Sequence, residues 1–221
     1  MKRKGCWTVC TSTLYDYIDK GYIPGVTNKN LIEKSKRKKQ VYRKVRATRP
    51  PKGESIEKRP EEIDARTTFG HWEMDLVVGK IEGSGEALMV LTERFSRFEV
   101  ICKLANKMAE TITNALYGVR DLLPDGAIQS LTCDNGPEFM DYDGMKEIAL
   151  VYYCHPFCSW EKGSCENANR LVRRFFPKGQ SMKDRTQGDC EAASRSINSM
   201  HRKSLGYRTA EEVFRDCLSA L

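Results

Sequence analysis

Three acidic residues stand in settings that could bring them to one catalytic centre. Asp75 lies in HWEMDLVVG, Asp134 in SLTCDNGPEF and Glu166 in WEKGSCENANRLVRRFFPKG. The first two belong to short runs typical of β-strands, and the third opens a basic helix. Mg²⁺ is a hard cation that prefers oxygen ligands, and two such ions held by carboxylates can cut and join phosphodiesters. These residues therefore indicate metal-dependent chemistry on nucleic acid.

Charge is distributed unevenly along the chain. Residues 1–60 hold 17 Lys and Arg against 5 Asp and Glu, whereas the remaining 161 residues hold 20 against 25. A basic arm on a mildly acidic body favours binding to a polyanion, although a basic run can also be a solvated linker. Within this arm, KSKRKK at 34–39 supplies four candidate DNA-binding residues, Lys36, Arg37, Lys38 and Lys39.

The composition predicts a cytoplasmic protein without membrane contact. The hydrophobic share of 40% over 221 residues allows a real core, but no apolar run is long enough to span a bilayer. No sustained apolar stretch follows the basic start, so a signal peptide is not expected. Nine cysteines are an odd number without a disulfide framework, which favours reduced thiols. A zinc site at Cys154, His155 and Cys158 is a weaker alternative, because a second ligand pair is missing.

The order of predicted elements is β-β-β-α-β-α-β-α, which is the order of the ribonuclease-H-like fold, a mixed α/β sheet flanked by helices. A further short helix is expected at 12–20 and a helical turn at 60–66. In such a fold Asp75 lies on the central first strand, Asp134 ends the neighbouring fourth strand, and Glu166 enters from a helix. We predict strands at 71–79, 86–94, 97–105, 127–134 and 149–155, and helices at 107–123, 137–148 and 165–176.

Several motifs, in order, carry a family resemblance. FGHWEMDLVVGK, LTERFSRFEV, TCDNGPEF, SWEKG-x-x-EN-x-NR and RRFFPKG resemble the insertion-sequence-thirty family of bacterial DDE transposases, which contain an integrase catalytic core. The similarity runs from about residue 11 to the end. The family's three catalytic and metal-binding acids correspond to Asp75, Asp134 and Glu166.

The resemblance implies an enzyme that cleaves transposon ends and joins the freed 3′-hydroxyl to target DNA. It implies two Mg²⁺ ions, for which Mn²⁺ can substitute, with Asp75 bridging both and the other two acids binding mainly one each. It also implies DNA as partner, a homo-oligomer that brings two ends together, and a place at the bacterial nucleoid.

The front of the chain matches only the last helix of the family's helix-turn-helix region. We therefore expect residues 1–22 to be a remnant of that region, 23–66 a basic linker, and 67–221 the catalytic domain. A truncated or degenerate copy is the corresponding hypothesis. An inactive DNA-binding remnant is the main alternative, and a ribonuclease H that cuts RNA–DNA hybrids is a third.

The helix that carries Glu166 also carries a row of basic side chains. Arg170, Arg173 and Arg174 follow Glu166 by four, seven and eight residues, which places them on one helical face, and Lys178 comes just after. We predict that they bind DNA phosphates. The alternative is an ion pair between Arg170 and Glu166 with solvated neighbours. His71 is expected to be structural.

Overall fold

The computed structural model describes residues 9–27, 30–31, 53–80, 85–155 and 159–221. The chain divides into two compact units, Met1–Arg46 and Ala47–Leu221. In the first unit, helix α1 (Thr11–Asp19) confirms the short helix predicted at 12–20. Gly21 follows it with a φ of +72°, a conformation that glycine adopts at little steric cost and that ends many helices. The candidates Lys36, Arg37, Lys38 and Lys39 lie outside the described residues.

The second unit is built on one mixed sheet. Its strands are β1 (Glu54–Ser55), β2 (His71–Val78), β3 (Ala87–Glu93), β4 (Glu99–Leu104), β5 (Ser130–Cys133) and β6 (Leu150–Tyr153). They lie in the order β1-β6-β5-β2-β3-β4. Strands β2, β3 and β4 pair antiparallel, whereas β5 and β6 add in parallel beside β2. This arrangement confirms the predicted ribonuclease-H-like sheet.

Six helices and a small hairpin complete the described part of this unit. The hairpin pairs β7 (His201–Arg202) with β8 (Arg208–Thr209). The helices are α2 (Glu61–Ala65), α3 (Ala109–Asp121), α4 (Tyr142–Lys146), α5 (Gly163–Phe175), α6 (Gln187–Asn198) and α7 (Ala210–Leu218). None of the described helices is long and apolar enough to cross a membrane.

The single helix predicted at 137–148 is wrong in its extent. A 3-10 helix covers Pro137–Phe139, and α4 begins separately after Asp141. The Asp141 side chain accepts a hydrogen bond from the Gly144 amide at 3.2 Å and so caps the new helix. The Asp141 side chain therefore caps the start of a second helix, and the segment forms two short helices where one was predicted.

The two faces of the sheet are covered differently. On one face Trp72 and Met74 of β2 join Ile112 and Leu116 of α3 in the main hydrophobic core. Phe214 of α7 packs in the same core. On the other face α5 packs on β2 and β3, and α6 packs on β4. A row of buried polar side chains crosses three strands there, because the pairing aligns Glu73, Thr92 and Glu99.

Residues 54–65, which the sequence places in the basic linker, pack on one edge of the sheet. Strand β1 pairs in parallel with β6, and Ile56 and Ile63 are buried. The Arg59 guanidinium donates to the Thr132 hydroxyl at 3.1 Å. The charged residues of this segment are thus interleaved with two apolar side chains that fasten it to the sheet.

The opposite edge is covered by side chains of α6. Asn198 accepts from the Glu99 amide at 2.8 Å and donates to the Glu99 carbonyl at 2.9 Å. Gln187 accepts from the Lys103 amide at 2.9 Å, and Ser194 donates to the Glu99 carbonyl at 2.5 Å. Backbone groups of the edge strand that have no neighbouring strand are therefore bonded to a helix.

Candidate active site

Strand pairing brings the first two predicted acids together. Strands β2 and β5 are parallel, with Glu73 opposite Thr132, so Asp75 and Asp134 each lie two residues further on. Both carboxylates contact one ammonium group. Lys162 Nζ lies 3.1 Å from Asp75 Oδ1 and 3.3 Å from Asp134 Oδ2. The expected convergence of these two acids is thus present in the geometry.

Lys162 belongs to the 3-10 turn Ser159–Lys162, directly before α5. Its side chain is 7% exposed, and Nζ also donates to the Met74 carbonyl at 3.3 Å. Burial acts to lower the pKa of Lys162, but the charges of Asp75 and Asp134 outweigh it and raise that pKa above its ordinary value. The side chain is therefore a fixed positive charge between the two acids.

Glu166 lies in the first turn of α5 and is exposed. Asn169 follows it by three residues on the same helix, a spacing that places the two side chains on neighbouring positions of one helical face. Asn169 Nδ2 donates to Asp75 Oδ2 at 2.5 Å. Among the described residues, no group of three or more His, Cys, Asp or Glu side chains is close enough to hold a metal ion. The structure thus brings Asp75 and Asp134 together at Lys162, whereas Glu166 is exposed in the first turn of the helix whose Asn169 bonds Asp75.

The start of α5 is positioned by a buried ion pair. Glu73 is fully buried and pairs with the Arg94 guanidinium, while its other carboxylate oxygen accepts from the Cys165 amide at 2.8 Å. A carboxylate at a helix N-terminus satisfies an otherwise free N–H and interacts favourably with the helix dipole. Arg97 adds a bond from Nη1 to Ser164 Oγ at 2.8 Å. Together these contacts fix the turn that carries Glu166.

The loop after β5 orients Asp134. Its Oδ1 accepts from the Gly136 amide at 2.9 Å, which is the geometry of an Asx turn. A Cβ at Gly136 would lie 2.9 Å from Asp134 Oδ1 and 2.6 Å from the Glu138 carboxyl carbon. A larger residue at position 136 would therefore push directly against the acid.

The four basic candidates on and after α5 differ in their surroundings. Arg170, Arg174 and Lys178 are exposed, and Arg170 bonds Asn167 Oδ1 at 2.7 Å. Arg173 is half-buried, and its Nη2 donates to the Val78 carbonyl at 2.8 Å. Burial lowers the pKa of Arg173, and the charge of Asp75 acts in the opposite direction. Arg173 therefore links the helix to the end of β2, whereas the other three face solvent.

The histidines near the site have structural partners. His71 is buried, and its Nδ1 lies 2.8 Å from Ser130 Oγ. His155 lies between two carboxylates, with Nδ1 2.8 Å from Glu161 Oε1 and Nε2 3.2 Å from Glu57 Oε1. Cys154 is buried beside it, and burial raises the pKa of its thiol to about 12. Cys158, the third residue of the alternative zinc site, lies outside the described residues.

Sequence reasoning missed Lys162, Asn169, Glu73 and Arg94. The first two flank Glu166 at the spacing of one helical face, which was a usable signal. Glu73 lies two residues before Asp75 on the same strand and so shares its face. Arg94 follows β3, and no pattern in the sequence relates it to Glu73.

The fold is ribonuclease-H-like, of the type found in integrase catalytic cores. Two solved structures share this fold, each with a TM-score of 0.53 and 16% identity. The catalytic core domain of BIV integrase is matched over 69% of this chain and 98% of that chain. A simian T-cell lymphotropic virus intasome in complex with PP2A regulatory subunit B56 gamma is matched over 65% of this chain and 53% of that chain.

The curated relatives of the chain are transposases of insertion sequences, of the IS30 type and others. The probable transposase for the insertion-like element IS1161 of Streptococcus salivarius is 37% identical over 92% of this chain and 58% of its own length. The transposase InsI for IS30A of Escherichia coli is 34% identical over 73% of this chain and 42% of its own length. The transposase for IS1086 of Cupriavidus metallidurans is 33% identical over 75% of this chain and 49% of its own length. The chain thus spans about half the length of these relatives. No family model matches it.

Proposed function

We propose that this chain catalyses metal-dependent DNA strand cleavage and strand transfer in the transposition of an insertion sequence. The observation that carries the proposal is the convergence of Asp75 and Asp134 on a single buried cation. Two carboxylates on neighbouring strands that already coordinate a positive charge are suited to hold metal ions. Similarity to insertion-sequence transposases supports the reaction type.

The residues present fit a divalent metal. The donor set consists of carboxylate oxygens, which Mg²⁺ and Mn²⁺ prefer, and Lys162 acts as a stand-in cation between them. Asp75, Asp134 and Glu166 are the residues that would hold the metal ions. Bound in this way, the metals would activate water or a 3′-hydroxyl and stabilise the leaving oxygen.

The protein's own groups orient the acids. Asn169 and the Gly136 amide each hold one carboxylate oxygen, which limits rotation of Asp75 and Asp134. Glu73 holds the turn of α5 from which Glu166 projects. Preorganised ligands of this kind lower the cost of assembling the site at the moment of reaction.

DNA is the proposed substrate and partner, at the bacterial nucleoid. Exposed Arg170, Arg174 and Lys178 lie on or just after the helix that carries Glu166, where they can neutralise phosphates. The basic run with Lys36, Arg37, Lys38 and Lys39 would add contacts, and binding should weaken steeply as salt increases. Assembly of two or more copies would bring two element ends together.

A strand-transfer assay on labelled element ends with Mg²⁺ or Mn²⁺ tests the proposal. We expect the wild type to cut and join, and Asp75→Asn to lose at least about 10³-fold in rate, because metal ligation contributes several kcal/mol to transition-state stabilisation. DNA binding, followed by fluorescence anisotropy, should persist in this variant. Asp121→Asn, which changes an exposed acid at the end of α3, is the matched control and should retain activity.

Two outcomes would contradict the proposal, and each would support an alternative function. Binding without cutting in both the wild type and Asp75→Asn would identify an inactive DNA-binding remnant. Cleavage of RNA–DNA hybrids without joining would identify a ribonuclease H.

A further inference from the structure

Lys162 makes an unusually complete set of bonds for a lysine. Its ammonium carries three donors, and three oxygens receive them: Asp75 Oδ1 at 3.1 Å, Asp134 Oδ2 at 3.3 Å and the Met74 carbonyl at 3.3 Å. The Phe139 ring centroid lies 5.9 Å from Nζ, within reach of a cation–π contact. The side chain thus fills the space between the two acids and joins β2, β5 and α5.

Every oxygen of the two carboxylates has a partner. Asn169 holds Asp75 Oδ2 and the Gly136 amide holds Asp134 Oδ1. The two remaining oxygens both bond Lys162, which among the described residues is the one donor that the two acids share. A cation held jointly by Asp75 and Asp134 would therefore compete with the lysine for these oxygens.

The Lys162 ammonium and a divalent metal ion exclude each other from the space between the two acids, because both are positively charged. Two carboxylates and one ammonium leave a net charge of −1, and the buried ammonium is favourable in its position only while the two partly exposed acids face it. A divalent ion within a few ångströms of the ammonium would repel it strongly in this poorly solvated position. The lysine stem is a flexible four-carbon chain, so its head can move away without unfolding the turn.

We propose that Lys162 is an exchangeable internal cation, which holds Asp75 and Asp134 together and is displaced when a divalent metal binds. The inference rests on the proposed function, since it concerns the same metal site. Its consequence is that Lys162 weakens metal binding and makes it a competition between two cations. Lys162 is thereby a positioning residue that sets how readily the site is loaded.

Titration of the full-length chain with Mn²⁺ alone, by calorimetry and without DNA, tests the inference. Lys162→Met keeps the length of the side chain and removes its charge, and Lys162→Gln also keeps a hydrogen-bond donor in case the first variant folds poorly. We expect both to bind Mn²⁺ at least about tenfold more tightly than the wild type, because the ion no longer displaces a charged hydrogen-bond donor. Both should also show a larger rise in melting temperature on addition of Mn²⁺.

Lys103→Met is the matched control, because Lys103 also pairs with a carboxylate, Glu86 at 3.4 Å, on a different part of the sheet. Its Mn²⁺ affinity should equal that of the wild type. Unchanged or weaker Mn²⁺ binding in both Lys162 variants, with Asp75-dependent binding in the wild type, would overturn the role of the lysine. Equally weak binding in the wild type and Asp75→Asn would instead overturn the proposed metal site, so the two failures are distinguishable.

Discussion

The two faces of strand β2 are built from alternating residues of one short segment, and they differ in what fixes them. Trp72 and Met74 point into the apolar core beneath α3, where contacts are numerous and weakly directional. Glu73 and Asp75 point towards α5 and are fixed by hydrogen bonds to single atoms of Cys165, Lys162 and Asn169. The first face supplies folding free energy, whereas the second determines where a few polar atoms lie.

This difference explains how one strand can both contribute to the hydrophobic core and position polar atoms of the site. Side chains alternate strictly across a strand, so an apolar residue and a polar residue can be neighbours without sharing an environment. Substitutions on the core face should lower the stability of the fold and, as a consequence, the activity. Changes on the α5 face should disturb the site more than the fold.

The largest loss of stability is expected from Trp72→Ala. Trp72 is 1% exposed and its Nε1 donates to the Ala127 carbonyl at 2.8 Å, so the change creates a cavity and leaves an acceptor unpaired. We expect the free energy of unfolding to fall by about 3–5 kcal/mol. Urea denaturation measures it, with Leu122→Ala as control, since Leu122 is 86% exposed and its loss should cost less than about 0.5 kcal/mol. Equal effects of the two variants would contradict the core assignment.

Glu73→Gln should cost less stability but should affect the site directly. Removing the charge leaves the buried Arg94 guanidinium facing a neutral amide in place of its buried carboxylate, at an expected cost of about 2–3 kcal/mol. The Cys165 amide should then exchange its hydrogen faster, because its acceptor is a weaker one, and strand transfer should fall as Glu166 loses its fixed position. Hydrogen exchange resolved at Cys165 is the measurement. Glu147→Gln, at an exposed acid bonded to Tyr117, should change neither quantity, and protection of Cys165 that survives Glu73→Gln would disprove the capping role.

A third test changes the pH and follows the buried carboxyl group of Glu99. Burial raises the pKa of Glu99 to about 8, although the Thr92 hydrogen bond and the charge of Arg202 act to lower it. The folded protein thus keeps a proton on Glu99 up to about pH 8, whereas the unfolded chain releases it near the ordinary value of 4.5. Stability from this group therefore falls as pH rises between these two values, by at most about 1.4 kcal/mol for each pH unit. Urea midpoints across this range should fall less steeply in Glu99→Gln, and parallel slopes would contradict the prediction.

The sequence was most informative where apolar residues repeat regularly. Alternation and β-branched runs located β2 to β6 within a few residues, and the order of elements was enough to predict the sheet. Helix α6 was not predicted, because its apolar positions are few. Its start is nevertheless signalled by the capping box of Thr186 and Asp189, and Thr209 with Glu212 does the same for α7.

The site could be predicted only in part. The proximity of Asp75 and Asp134 follows from the strand order, because residues at equivalent positions of two neighbouring parallel strands lie side by side. The bonds of Lys162 to both acids depend on how the turn before α5 folds back on the sheet, and the pairing of Glu73 with Arg94 joins strand ends that are 21 residues apart. Such contacts are set by tertiary packing, which local patterns do not encode.

The bonds between α6 and strand β4 have a consequence for how copies of this chain can associate. An open edge strand is a template on which another chain can add a strand, which is a common route to aggregation. Here the outward backbone groups of Glu99 and Lys103 are already bonded to Asn198, Ser194 and Gln187, and the far edge is a strand of two residues. Adding a strand of a second copy at β4 would have to break these bonds, so association of copies through this edge of the sheet is disfavoured.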